Sequence, residues 1–580
     1  MKKRQFIILL ISLFVIGNSL FAIENKDSIQ NYQKTYNNQS EEYIVAVMLC
    51  RIANSQLPSA STPITGAALL KTLDKIDITK LNDEEYEIYN NLMKSLKPEE
   101  YFYSSEDFAT SVSITESAEV YLNHSFDDYP IYYRDALFGY KDRLPWNDWY
   151  ADFYYGNNAY LKFNVYSEDI MGNVDSISDV SLNTLYLSDF DTNLDTFIFK
   201  NFELTNTYHN YNCEGVIGND NMAFMLGRNK LNEGRGQTGN LLISDNFRFQ
   251  EYMKYSFYSD FVSYHMTLTQ FGTQDTDEEY EAESFTSSGY QQVRIIHRIE
   301  FNPFDNFGMV LSSGATMYTD NPYDFRNLFP FDFIHNHYNT GGESYSEGNG
   351  DEINNIASLE FDFYPIKKWS MHIQLLSDQY KMATEGESST PPATGSLFNI
   401  EYSTVIKKGL FDAYIEFVHT NPYLYLNTKY TDEGSFYNLD HIYGYTTVTG
   451  KELAYSGYYL GPYTTAIGTG CSYRVPDIYN IDFDILYAIH GPTGISWVDT
   501  TISNLNFGQT IEDTEDDIKE HSLYVTLTGS YEVIDGITLG AKLGNRFQWN
   551  KDYQEGAFHS DFQSLFNIQV DVIKLLNIKY

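Results

Sequence analysis

The sequence predicts a mainly β protein: a transmembrane antiparallel β-barrel of about 18 strands, between about 14 and 20, preceded by a small N-terminal helical segment. Three observations carry this. From about residue 115 onward, apolar and polar residues alternate with a period of two. Short turns and long polar stretches take alternate places between those runs. Aromatic residues make up 16% of the 580, with 51 Tyr and 39 Phe, in a chain that is still 20% charged. A barrel wall needs apolar side chains facing lipid, polar ones facing the lumen, and aromatic rings at both membrane interfaces.

The first element is an export signal over residues 1–22. Met1-Lys2-Lys3-Arg4 is basic, residues 6–16 are apolar, and Asn18-Ser19-Leu20-Phe21-Ala22 closes on a small residue. The apolar part is too short to span a bilayer comfortably. Residues 23–105 read as a helical periplasmic segment. One helix covers Tyr43 to Ala53 and contains Cys50. A second follows Thr65, with Leu69, Leu70, Leu73 and Ile76 on one side. A third starts at Asn82-Asp83-Glu84-Glu85, where Glu85 is placed to return a bond to the Asn82 backbone. Its apolar residues recur at Tyr89, Leu92, Met93 and Leu96, and Pro98 stops it.

Residues 106–580 read as the barrel. Val262, Tyr264, Met266 and Leu268 alternate with Ser263, His265, Thr267 and Thr269. Val293, Ile295, His297 and Ile299 alternate with Arg294, Ile296, Arg298 and Glu300. Short turns are expected at Asn302-Pro303-Phe304-Asp305-Asn306, Tyr364-Pro365-Ile366-Lys367-Lys368, Val405-Ile406-Lys407-Lys408-Gly409, Arg474-Val475-Pro476-Asp477 and Val533-Ile534-Asp535-Gly536. Long polar stretches, such as residues 272–288, 340–352 and 506–520, lie between the hairpins. Short turns at one end and long loops at the other are an outer-membrane asymmetry, with the short turns toward the periplasm. The alternating end Leu576-Asn577-Ile578-Lys579-Tyr580 reads as part of a terminal strand.

The formal charge is −41. Without Lys2, Lys3 and Arg4 the chain keeps 35 of its 38 basic residues against 79 acidic ones. That balance excludes a nucleic-acid partner, which needs a basic face. Cys50, Cys213 and Cys471 are far apart and odd in number, so they make neither a disulfide framework nor a metal cluster. His335 and His337 would share one strand face, but no third ligand stands at metal spacing, and no cofactor is expected. The acidic run at residues 512–517 reads as a solvated loop. No Gly-x-Ser-x-Gly elbow is present, so no catalytic residue is expected.

The most informative segment runs from Phe224 to Ser244. An apolar strand leads to Gly227-Arg228, then Gly234-Arg235-Gly236-Gln237-Thr238-Gly239-Asn240 precede a short apolar run. Glycines here would let the chain fold sharply inside a crowded lumen, as a plug near residues 227–244. Arg228 and Arg235, with Arg294 and Arg298 from the wall, would face acidic lumen groups. Gly227-Arg228 followed by Gly234-x-Gly236-x-x-Gly239-Asn240-Leu241 resembles the capsule-assembly (Wzi-type) outer-membrane barrels. So do Ile299-Glu300-Phe301-Asn302-Pro303-Phe304, Asn327-Leu328-Phe329-Pro330-Phe331-Asp332-Phe333 and Phe361-Asp362-Phe363-Tyr364-Pro365. The sequence departs from that pattern at Glu233 and in its long acidic loops.

The resemblance implies a closed barrel in the cell outer membrane that binds or organises capsular or other surface polysaccharide without catalysis. Its partners would be that polysaccharide, outer-membrane lipid and the barrel-assembly machinery. Candidate ligand contacts in the plug and lumen are Arg228, Arg235, Gln237, Asn240, Arg294 and Arg298. A porin or uptake channel for small solutes is the alternative, and a surface adhesin or barrel hydrolase the second alternative.

Overall fold

The computed structural model describes residues 32–96, 103–105, 107–124, 144–169, 207–247, 249–270, 291–319, 353–379, 393–431, 434–439, 442–447, 450–491, 501–502 and 518–576. The expected export signal, the His335–His337 pair and the acidic run at 512–517 lie outside these residues.

Among the described residues, eighteen long strands close into one antiparallel barrel. They are β1 (Phe108–His124), β2 (Asn147–Tyr155), β3 (Ala159–Asp169), β4 (Thr207–Gly218), β5 (Met222–Asn229), β6 (Gln250–Tyr258), β7 (Val262–Gln270), β8 (Gln291–Phe304) and β9 (Phe307–Thr319). The second half is β10 (Ile353–Phe363), β11 (Trp369–Gln379), β12 (Ala393–Ile406), β13 (Gly409–Thr420), β14 (Thr464–Val475), β15 (Tyr479–His490), β16 (Glu520–Ile534), β17 (Ile537–Trp549) and β18 (Phe558–Asp571). Each strand pairs with the next, and β18 returns to β1 with Asp571 opposite Thr115. All strand edges are thereby paired, which is what a lipid environment demands of a sheet.

The five expected short turns all lie at one end of this wall. Phe304 faces Phe307 across the first of them, after a bulge that takes up Asn302 and Pro303. Ile406 pairs with Gly409, and Ile534 with Ile537. In that last turn Gly536 has φ +85°, a conformation open to glycine. The connections at the opposite end are long, including residues 230–249 and 421–463. The chain end differs from expectation. The terminal strand stops at Asp571, and Val572–Leu575 form a helical turn capped by the Asp571 side chain, so the alternation after Leu575 is not continued as strand at Leu576.

The period of two becomes an inside and an outside. Along β12, Leu397, Asn399, Glu401 and Ser403 are buried inward, while Phe398, Ile400 and Tyr402 alternate with them. The wall inverts a water-soluble protein. Leu226, Ile415, Ile467 and Leu527 stand out at 44%, 48%, 46% and 42% exposure, while Gln374 and Asn399 are 0% exposed. Rings gather on the outer face at the short-turn end, where Trp369 packs on Tyr402 and Tyr479 lies between Tyr473 and Tyr531. This is an interface girdle.

The expected helices form as α1 (Glu41–Ala53), α2 (Gly66–Leu73) and α3 (Asp83–Ser95). Thr65 caps α2 by accepting from Ala68 N. Asn82 and Glu85 make both bonds of the capping box, at 2.9 and 3.0 Å. Leu49, Leu69, Leu73 and Leu96 are fully buried between these helices and the barrel. The helices are not set apart from the wall, because α1 packs against β11, β12 and β13.

Leu527 sits mid-strand on the outer face. Leu527→Arg should cost about 2–4 kcal/mol of barrel stability, read as a lower urea midpoint in lipid bilayers. Thr528→Ser, on the inner face next door, should leave that midpoint unchanged.

Candidate functional site

Two chain segments meet inside the barrel. The N-terminal helices come from the short-turn end, and the β5–β6 connection comes from the opposite end of the wall. They join as a two-residue sheet, with Asn232 opposite Thr62 and Glu233 opposite Ser61. Lys254 of β6 reinforces the seam by donating to Ser61 O at 2.7 Å and Pro63 O at 3.1 Å.

Buried charge fixes this plug to the wall. Arg298, 1% exposed, donates to both oxygens of Glu360 at 2.6 and 3.0 Å and to Glu300 at 2.9 Å. Its Nε also lies 3.3 Å from Glu233 of the plug. Glu233, where the sequence departs from its resemblance, is thus the plug's carboxylate in this network, and Ser61 donates to it at 2.8 Å. Arg235 donates to Asp362 at 3.1 Å and to Pro58 O at 2.6 Å. Asp362 in turn meets His372 Nδ1 at 2.7 Å. A charge this deep is tolerable only when paired and hydrogen-bonded, and each of these is.

The glycine-rich loop has a further anchor. Gln237 N and Thr238 N donate to the two oxygens of Glu416, at 2.7 and 2.9 Å, and Thr238 Oγ1 adds a third bond at 2.5 Å. Successive backbone N–H groups form a concavity for an anion. Here the anion is a wall carboxylate, so the loop clamps the wall instead of cradling a phosphate. Gly234 and Gly239, at φ +128° and +132°, give the loop its path. Asn240 staples it internally, donating to Asn232 and accepting from Gly236 N, both at 2.7 Å. The following Leu241, Leu242 and Ile243 are buried under Tyr425, whose hydroxyl donates to Leu241 O at 2.6 Å.

Arg235, Gln237 and Asn240 lie together in the plug, and Arg298 and Arg294 lie on the inner wall, each 1% exposed. Arg228 is a correction. It shares the outer face of β5 with Phe224 and Leu226, and its guanidinium lies over the rings of Tyr211 and Phe249. Strand parity decides this: Arg228 is one residue out of step with the inward Gly227 and Asn229. Sequence reasoning missed Arg51, which reaches from α1 to Ser370, Ser403, Asp412 and Glu401 at 2.5–2.8 Å. It reads as a basic residue in the last helical turn, and nothing local shows that four wall groups converge on it. Cys50 is core: burial pushes its thiol up to about 12.

Ser59, His265 and Glu300 also converge, but not as a nucleophilic triad. Ser59 Oγ donates to Glu300 at 3.0 Å and lies 3.2 Å from His265 Nε2, while Nδ1 is taken by Ser256 at 2.9 Å. The serine proton is thus directed at the carboxylate and not at the imidazole, and no acid orients Nδ1.

Beside the plug the lumen keeps a cavity of about 640 Å³. Tyr414, Tyr459 and Tyr524, the loop backbone from Gly234 to Asn240, and Asp482 and Asp484 line it. Tyr414 donates to Asp484 at 2.8 Å.

No family model and no curated protein sequence matches the chain. The structure of Wzi from Escherichia coli, an outer membrane protein involved in group 1 capsule assembly and described as a carbohydrate-binding β-barrel, superposes with a TM-score of 0.53 at 13% identity, covering 92% of this chain and 98% of that one. OccAB4 of Acinetobacter baumannii (TM-score 0.39, 8% identity, 80% of this chain and 98% of that one) and OprD of Pseudomonas aeruginosa (0.36, 8%, 80% and 95%) align less well. The first likeness shows a shared fold, the one that the resemblance of the glycine-arginine segment implied.

Arg298→Ala leaves Glu360, Glu300 and Glu233 facing one another in the dry lumen and should cost about 3–5 kcal/mol, measured by urea titration in bilayers. Arg51→Ala should leave the barrel assembled but expose α1, so that limited proteolysis cuts before residue 60 in the variant alone.

Proposed function

We propose that this protein is a plugged outer-membrane barrel that holds a surface polysaccharide without cleaving it. The observation that supports this best is the state of the lumen. Two plug segments are locked to the wall by Arg298, Arg51 and Glu416, and the space left is a tyrosine-, amide- and carboxylate-lined cavity. Tyrosine rings stack on sugar faces, while amides and carboxylates accept and donate around hydroxyl groups. The Wzi structure, with the same fold, is described as carbohydrate-binding. Arg235, Gln237 and Asn240 act by shaping that cavity, since their polar atoms bond within the protein, and Arg294 and Arg298 by supporting it from the wall. A short-turn end toward the periplasm would place the long loops at the cell surface, and the capture of polymer there requires only hydrogen bonds and stacking.

Binding of host surface polysaccharide to the purified protein, by calorimetry, tests the reading. Tyr459→Ala should weaken binding about five- to ten-fold, the worth of one stacked ring. Arg228→Ala, on the outer face, should leave it unchanged. Loss of no affinity in Tyr459→Ala, or no measurable binding by the unmodified protein, would remove the cavity from the account.

A further inference from the structure

A second cavity, of about 500 Å³, lies at the short-turn end and shares two wall residues, Gln39 and Arg474, with the first. Its other walls are the N-terminal end of α1, the β14–β15 turn, and the ends of β16, β17, β18 and β1. The plug's short fastenings, Arg298, Arg235, Arg51 and Glu416, are to β8–β13. Along β14–β16 the inner wall carries small polar residues, Ser472, Thr526, Thr528 and Ser530 among them, which leave room that bulkier side chains would fill.

Arg474 stands at the junction. Its side chain is 15% exposed, and its guanidinium is 3.7 Å from Asp482, too long for a direct hydrogen bond. Its Nε is buried and makes no hydrogen bond among the described residues. Arg298, Arg235 and Arg51, by contrast, are each fastened by short bonds. Arg474 is thus held less tightly than Arg298, Arg235 and Arg51, and it sits where the two spaces meet.

The lining is acidic on both sides of it. In the first cavity Arg51 takes up Glu401 and Asp412, and Arg235 is held by Asp362 outside that cavity's lining. Asp484 is met by a tyrosine hydroxyl, and Asp245 by the amides of Asn38 and Gln39. In the second, Glu41, Asp477, Glu532 and Asp571 face Arg474 and Lys574. Lys574 takes up Glu532 at 2.8 Å, yet carboxylates still outnumber cations in each lining, five to three and four to two, and such an excess between low-dielectric walls favours a cation over an anion.

We propose that the barrel carries, beside its plug, an off-axis passage along the β14–β16 wall that admits small cationic solutes from the short-turn end to the lumen cavity, with Arg474 as its constriction. This goes beyond the holding of a polysaccharide and does not depend on it. Asp482 holds the arginine loosely across the opening, and a cation passing the pair exchanges places with the guanidinium beside that carboxylate.

Cysteine accessibility tests it in the assembled protein, with Cys50→Ala, Cys213→Ser and Cys471→Ser removing the native thiols. Ser530→Cys reports the second cavity and Thr526→Cys the first, beyond Arg474. The probes are the small methanethiosulfonates, cationic MTSET and anionic MTSES. At Thr526→Cys, MTSET should react at least about ten-fold faster than MTSES, as focusing by an acidic cleft requires. Adding Arg474→Ala should speed MTSET at Thr526→Cys several-fold, and by a clearly larger factor than at Ser530→Cys, which lies before the constriction. Arg474→Gln serves if the alanine variant does not assemble, as judged by heat-modifiable migration on gels. The passage is overturned if Thr526→Cys resists both reagents with and without the Arg474 substitution while Ser530→Cys reacts. It is equally overturned if the rate at Thr526→Cys ignores both reagent charge and Arg474.

Discussion

Eighteen strands enclose a lumen wider than their own inward side chains can fill, and every other feature of this structure answers to that constraint. A hydrophobic plug would need a hydrophobic inner wall, which the period-two alternation forbids, because the apolar residues are committed to lipid. The filler must therefore bind by polar contacts. Arg298, Glu233, Glu300 and Glu360 form the centre of that solution, with one guanidinium satisfying two strands of the wall and one strand of the plug. Buried ion pairs of this kind are weak evidence of net stability, since desolvation offsets attraction. They are strong determinants of position. A plug displaced by one residue leaves charges unpaired in a dry interior, so only one register is tolerable.

The same constraint explains why the plug is made of two pieces. The N-terminal helices have an apolar core of their own and cover the short-turn end, where Arg51 ties α1 to β11, β12 and β13. The β5–β6 connection has little apolar content before Leu241, so it depends on backbone donors, and Glu416 collects two of them. The two-residue sheet between Ser61-Thr62 and Asn232-Glu233 then makes one body of both. The short fastenings concentrate on β8 to β13, and the inner face of β14–β16 is left with small polar side chains and the two cavities, with Arg474 between them.

Function follows from what such a lumen can offer. Space bounded by tyrosines, amides and carboxylates favours hydroxyl-rich and cationic ligands over apolar or anionic ones. The convergence of Ser59, His265 and Glu300 adds rigidity to the seam, since its protons are directed into the network and not toward a reacting group. The outer face, with its girdle of Trp and Tyr rings and its exposed Leu and Ile, is matched to lipid.

Alternation marked most of the wall's two faces, turn residues marked where the five turns fall, and the asymmetry of short turns and long loops marked the sheet as a barrel. Local side-chain chemistry determined the caps, as the Asn82–Glu85 box shows, and glycine spacing marked residues 234–240 as a sharply folded segment. These are short-range properties, written within a few residues of one another. Arg228 shows the limit even there. A residue at the end of a strand takes its face from parity, and the sequence alone did not say where β5 began to count. The terminal residues show another, since Asp571 caps a helical turn where alternation alone reads as strand. What only the tertiary structure decided is which groups meet across the lumen. Arg51 meets Glu401 and Asp412 across 350 and 361 residues of chain, Glu416 meets the loop backbone across 179 and 178, and Arg474 lies between two cavities built from both ends of the chain. Their meeting depends on barrel shear and plug depth, quantities that no local pattern encodes.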